Sequence, residues 1–195
     1  MNRPVVVIDG HPDPAADRLC HALADAYVKG AESAGHPVEI VRLADLDIPF
    51  LRTADDFNNQ QPGPEIRRVQ DAIESAGHIV LVYPLWLGTM PAMLKAFIEQ
   101  LFRPGFAFGG EGEKSMWSGR LKGRSARVVV TMGMPAFVYR WFFRAHSLKS
   151  LERNILKFCG IKPVRETLLG MVDSASDEKR GRWLRTMHEL GRRMR

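Results

Sequence analysis

The chain has 195 residues, 45% of them hydrophobic and 26% charged, an ordinary balance for a soluble globular protein. That length suits one well-buried α/β domain, residues 1–195, and is short for two. No apolar run approaches the roughly 20 residues of a membrane-spanning helix. The N-terminus reaches Asp9 and His11 without the long apolar stretch of a signal peptide. Cys20 and Cys159 lie far apart, outside any metal-binding spacing. They read as reduced thiols of a cytoplasmic protein, with no disulfide framework and no zinc site. Much of the net charge of +6 sits in Lys179, Arg180, Arg182, Arg185, Arg192, Arg193 and Arg195. Trp183, Leu184, Met187 and Leu190 fall on the other face of that segment, so it is read as an amphipathic terminal helix with a solvated basic side. Without interleaved aromatic and basic residues, no nucleic-acid contact is expected, and no membrane insertion.

Strand and helix patterns alternate along the chain. Pro4 to Asp9 is a continuous apolar run, as in a parallel strand covered on both faces. A helix is predicted over about 18–34, stopped by Gly35 in the position of a left-handed cap. Val38 to Arg42 is the second strand, and the segment Ala44 to Pro64 is irregular, broken by Pro49, Pro62, Gly63 and Pro64. A helix over 65–75, a strand over 79–83 and a helix opened by Pro91 and ending near Phe102 follow. Arg103 to Gly123 is a long glycine-bearing loop, expected to help cover a ligand. The fourth strand is 127–131, followed by a second long loop, a helix over 147–158 stopped by Gly160, a strand over 164–169 and a helix from about Ser176. Five strands alternating with helices predict a five-stranded parallel sheet with helices on both faces. Ligands bind such sheets beyond the carboxyl ends of the strands.

Three loops at that edge carry unusual residues. The first, Gly10-His11-Pro12-Asp13-Pro14-Ala15-Ala16-Asp17-Arg18-Leu19-Cys20, leads into a helix start that favours an anion such as phosphate. It matches neither the dinucleotide-binding glycine pattern nor a P-loop, and its plainer reading is a helix start capped by Asp17. The second, Tyr83-Pro84-Leu85-Trp86-Leu87-Gly88-Thr89-Met90-Pro91, places large apolar side chains where a flat apolar ligand would cover them. Gly88 there suits close backbone approach, and the alternative is a core turn with Trp86 buried. The third runs from Thr131-Met132-Gly133 through Tyr139 to His146. Its phenol and imidazole suit proton donation to an oxygen that gains charge. The run Trp141-Phe142-Phe143 is too apolar for open water and suggests a dimer or pocket wall.

Taken together these motifs resemble the flavodoxin-like NAD(P)H:quinone oxidoreductase family, the group of DT-diaphorase and related bacterial NAD(P)H dehydrogenases. The resemblance runs from His11-Pro12 to Cys159-Gly160. It is carried by Tyr83-Pro84-Leu85-Trp86, Met90-Pro91-Ala92-Met93-Leu94-Lys95, Gly105-Phe106-Ala107-Phe108 and Thr131-Met132-Gly133. It implies a flavodoxin-like fold, bound FMN or FAD, NADH or NADPH as electron donor, and a homodimer with a shared active site. The implied reaction is two-electron, ping-pong hydride transfer to quinones or to similar nitro or azo acceptors. By motif position, His11, Asp17, Arg18, Leu19 and Cys20 would surround the flavin phosphate. Pro84, Leu85, Trp86 and Leu87 would hold the ring on one side and Thr131, Met132 and Gly133 on the other. Tyr139 and His146 match the residues that stabilise ring charge. Asp17 and Cys20 replace a serine and an asparagine common in the family, and Leu87 stands where relatives often carry an aromatic. A single-electron carrier of the flavodoxin type is a rival reading, although such carriers are typically acidic. An ancillary flavoprotein subunit of a membrane transporter is another.

Overall fold

The computed structural model describes residues 3–109 and 118–195. Strands β1 (Val5–Asp9), β2 (Val38–Arg42), β3 (His78–Pro84), β4 (Ser125–Met132) and β5 (Val164–Gly170) form one sheet in the order β2-β1-β3-β4-β5. All four pairings are parallel. Every residue of β1 and β3 is buried, because apolar side chains alternate between two covered faces. Val6, Ile8, Leu81, Val128 and Val130 join one core with Val69 and Ile73 of α3 (Pro64–Ser75) and Leu94, Phe97 and Leu101 of α4 (Ala92–Leu101). Val5, Val7, Val80, Val82 and Val129 join the other. There they pack with Leu23 and Tyr27 of α1 (Leu19–Ser33) and Met187 of α7 (Asp177–Arg192). Among the described residues no helix is long and apolar enough to cross a membrane.

The strands and long helices fall within a few residues of the predicted ranges, and Gly35 adopts a φ of 76° just beyond α1. Two segments depart from them. In the stretch read as irregular, α2 (Ala54–Asn58) forms on a capping box, Thr53 Oγ1 accepting from the Asp56 amide at 3.0 Å and Asp56 Oδ2 from the Thr53 amide at 3.0 Å. The loop read after β4 contains α5 (Ala136–Trp141), and the helix predicted over 147–158 is α6 (His146–Ser150) continued as a π-helical stretch, Leu151–Leu156. Arg144 and Ala145 separate α5 from α6 with φ of 51° and 48°. The predicted site cover over 103–123 lies in part, at 110–117, outside the described residues.

Helices α1 and α7 touch through glycines. A methyl group on Gly30 would come within 2.0 Å of the His188 carbonyl oxygen, and one on Gly191 within 2.1 Å of the Tyr27 carbonyl oxygen. The close approach offsets the helix-propensity cost of glycine, about 1 kcal/mol each. Gly30→Ala is therefore expected to destabilise the protein by about 2 kcal/mol, although alanine is the better helix former. Urea unfolding checks this, and an unchanged or raised midpoint would contradict it.

Candidate functional site

A cavity of about 610 Å³ opens beyond the carboxyl ends of β1, β3 and β4. Its size is typical of small-molecule sites, and it lies where the strand order reverses between β1 and β3. Of the residues singled out in the sequence, the structure brings together His11, Asp17, Arg18, Leu19, Cys20, Pro84, Leu85, Trp86, Thr131, Met132 and Gly133. Asp13, Val172, Asp173 and Arg180 complete the lining. Leu87, Tyr139 and His146 are not part of it.

The loop after β1 is held by its own polar groups. The Asp13 carboxylate accepts from the Ala15 amide at 2.9 Å and from Arg18 Nε at 2.7 Å, an Asx-type turn closed by an ion pair. The Ala15 amide, and then Arg18, hold the Asp13 carboxyl below the usual carboxylate range. The expected Asp17 cap is absent. Residue 18 occupies the N-cap position without a side-chain cap bond. The Arg18 amide turns back to the Ala15 carbonyl at 3.2 Å, which leaves Asp17 outside the helix, its side chain 78% exposed and 3.5 Å from Arg18 Nη1. The His21 and Ala22 amides bond to the Arg18 carbonyl, while those of Leu19 and Cys20 find no protein acceptor among the described residues. They form a helix end open to an anion. His11, 8% exposed, lies edge-on to Trp86 with ring centroids 5.8 Å apart. Burial, then the neighbouring His21 ring, lowers its pKa, so His11 meets the cavity as a neutral imidazole near pH 7.

The loop after β3 is pinned to β4 by the Leu85 amide, which donates to the Thr131 carbonyl at 2.7 Å. Trp86 and Thr89 then exchange backbone hydrogen bonds of 2.8 and 3.0 Å around a two-residue turn. Leu87 and Gly88 occupy its centre with φ of 46° and 80°. Such a turn requires positive φ at both positions, and the reversal throws Leu87 wholly into solvent instead of against the ring site. Gly88 serves the same φ and not a close approach, since a methyl group there would meet nothing within 4 Å. Trp86 is not the buried core residue of the alternative reading, being 47% exposed at the cavity wall.

On the third side, Thr131 Oγ1 lies 3.4 Å from Cys20 Sγ, tying β4 to the start of α1. Gly133 leaves room for Asp173, whose Oδ2 would lie 2.8 Å from a methyl group built there. Tyr139 and His146, which the resemblance matched to charge-stabilising residues, lie outside the cavity lining. Tyr139 is 2% exposed and its hydroxyl is already engaged, 2.7 Å from Ser147 Oγ and accepting from the Leu148 amide at 3.2 Å. It secures the start of α6 instead of facing the cavity. His146 is exposed at the first residue of α6.

The loop after β5 supplies residues that the sequence reading missed. Arg180 donates to the Val172 carbonyl at 2.8 Å and the Ala175 carbonyl at 3.2 Å, which holds the start of α7 beside the cavity. The topological rule that selected the other loops applies equally to this one. Among the described residues no cluster of His, Cys, Asp and Glu is arranged to hold a metal ion.

An open helix end, an apolar wall and a strand-order reversal define a ligand cavity of the flavodoxin type. The chain belongs to the family described as having a flavodoxin-like fold, whose model matches residues 3–190. It is 28% identical to an uncharacterized NAD(P)H oxidoreductase of Haemophilus influenzae, covering 90% of this chain and 87% of that protein. It is 30% identical to an FMN-dependent NADH:quinone oxidoreductase of Ruegeria pomeroyi over 60% of this chain and 65% of that protein. The solved NAD(P)H:quinone oxidoreductase of Methanothermobacter marburgensis superposes with a TM-score of 0.81 at 19% identity, over 100% of this chain and 98% of that one. That last likeness establishes the fold. The resemblance carried by Tyr83-Pro84-Leu85-Trp86 is thus borne out at the level of the family.

Burial pushes the thiols of Cys20 and Cys159 up to about 12, so neither is a reactive nucleophile near neutral pH. In the native protein at pH 8 neither is expected to react rapidly with a thiol reagent, and both should react after unfolding. Rapid native labelling of Cys20, followed by mass spectrometry, would show that the start of α1 opens more readily than this packing allows.

Proposed function

We propose that the protein is an FMN-dependent NAD(P)H oxidoreductase that reduces quinones or similar electrophilic acceptors such as nitro or azo compounds. The observation that carries this is the junction, in one cavity, of the Leu19 and Cys20 amides, without an acceptor among the described residues, with the apolar wall of Pro84, Leu85 and Trp86. A molecule with a phosphate at one end and a flat ring at the other satisfies both. The names of the Ruegeria pomeroyi and Haemophilus influenzae relatives support FMN and NAD(P)H.

The residues present suit such a group. Leu19 and Cys20 would take the phosphate through backbone N–H donors, aided by the helix dipole, and Arg18 and Arg180 would offset its charge. Leu85 and Trp86 would cover the ring, with Thr131, Met132 and Gly133 on its other side. When bound, FMN supplies two-electron hydride chemistry that amino-acid side chains lack. The chain excludes water from one side of the ring and holds the cofactor in register with its substrates, which we propose bind in turn at one face. Homodimerisation is supported by the exposed Phe137, Trp141, Phe142, Phe143 and Met171, too much apolar surface to leave in water. Tyr139 holds the start of α6, where His146 is exposed. One flavodoxin-like flavin-binding domain working in the cytoplasm completes the proposal.

Purified protein is expected to be yellow, and chromatography of the denatured supernatant is expected to yield FMN. Initial rates with NADH or NADPH and a quinone should give parallel double-reciprocal lines. A colourless chain that takes up neither FMN nor FAD would overturn the assignment, and intersecting lines would overturn the shared-site order.

A further inference from the structure

Behind the first loop lies a buried polar chain that the proposed chemistry leaves unused. Asp9 ends β1 with no exposed surface. Its Oδ2 sits 2.5 Å from His21 Nδ1 and accepts from Arg42 Nη1 at 3.1 Å, while its Oδ1 accepts from the His11 amide at 3.4 Å. Arg42 is held in turn by Asp25, at 2.6 Å. On the other side of the ring, His21 Nε2 lies 2.9 Å from the carbonyl oxygen of Asp13. A carbonyl oxygen only accepts, so that nitrogen carries a hydrogen. The Asp13 amide then donates to His11 Nδ1 at 3.1 Å.

The direction of that last bond decides the state of His11. A ring nitrogen that accepts from an amide is bare, and a neutral imidazole keeps its one hydrogen on the other nitrogen. His11 Nε2 is thereby fixed as a donor. We infer that His21 is a positioning residue for His11: anchored by Asp9, it grips the Asp13 peptide, whose amide fixes His11 as an N–H donor toward an anion at the start of α1. This rests on the reading of the cavity as an FMN site. Asp13 and Asp17 make this loop acidic, and Arg18 is partly spent on both. A second neutral donor is what an acid-rich loop of this kind needs in order to hold a phosphate.

The test compares FMN with riboflavin, which lacks the phosphate, by fluorescence titration of flavin-free full-length protein. Wild type should prefer FMN. His21→Phe, which keeps the ring volume and loses the Nε2–H donor toward Asp13, should weaken FMN about tenfold, the equivalent of one good hydrogen bond, and leave riboflavin unchanged. His21→Gln, which keeps a donor toward Asp13, should recover most of the loss. Equal weakening of both ligands by His21→Phe, or none, overturns the inference. A second measurement needs neither variant nor ligand. In ¹⁵N spectra of the wild-type imidazoles, His11 should show a bare Nδ1 and a protonated Nε2, and a protonated Nδ1 would overturn the inference. A wild type that binds neither flavin overturns the FMN reading, while the ¹⁵N result still decides the arrangement of His11.

Discussion

Two backbone amides at the start of α1, those of Leu19 and Cys20, have no acceptor among the described residues, and the site is arranged around those open donors. Any α-helix leaves such groups at its N-terminus. Here no serine, threonine, asparagine or aspartate closes it, because residue 18 is an arginine whose guanidinium turns back to Asp13. The sheet fixes where the open end lies. With β2 and β3 flanking β1, the loops after β1 and β3 diverge to opposite faces, and the crevice between them receives the open end of the helix.

Around that end the charges are nearly balanced. Asp13, Asp17 and Asp173 line the cavity with Arg18 and Arg180, and both arginines are already bonded to the chain. Little free positive charge remains, so an anion would be held chiefly by oriented neutral donors. That places weight on geometry, and the geometry is unusually well supported. Thr131 ties β4 to Cys20, Leu85 ties the second loop to β4, and the buried Asp9 carboxylate ties the first loop to β1 and, through Arg42, to β2. The apolar wall is less conventional. Leu87 sits at a positive φ that costs an L-residue energy, and its side chain projects into solvent beyond the cavity. Trp141, Phe142 and Phe143 are likewise exposed apolar side chains.

Much of this was legible in the sequence for identifiable reasons. The centres of β1, β3 and β4 are continuous apolar runs, and such runs have few other uses in a chain this size. The loops after β1, β3 and β4 were singled out by their place at the carboxyl edge of the sheet together with their unusual residues. What escaped depends on contacts distant in sequence or on backbone geometry. Leu87-Gly88 does not signal a turn with positive φ at both residues, because leucine is a poor occupant of it. Tyr139 was read as a proton donor because no spacing rule shows that its hydroxyl meets Ser147 and Leu148 on the next helix. Arg180 was counted among the charges of a solvated helix face, where composition alone would leave it. The Asp9–His21 contact joins a strand end to the middle of a helix turn, and no spacing rule points to it.

The central claim is that the open start of α1 receives the phosphate of the cofactor. It is tested most directly by titrating FMN into ¹⁵N-labelled flavin-free protein and following the backbone amides. The Leu19 and Cys20 resonances are expected to move downfield as their N–H groups acquire a charged acceptor, with riboflavin leaving them nearly in place. Unchanged Leu19 and Cys20 resonances at saturating FMN would contradict the claim.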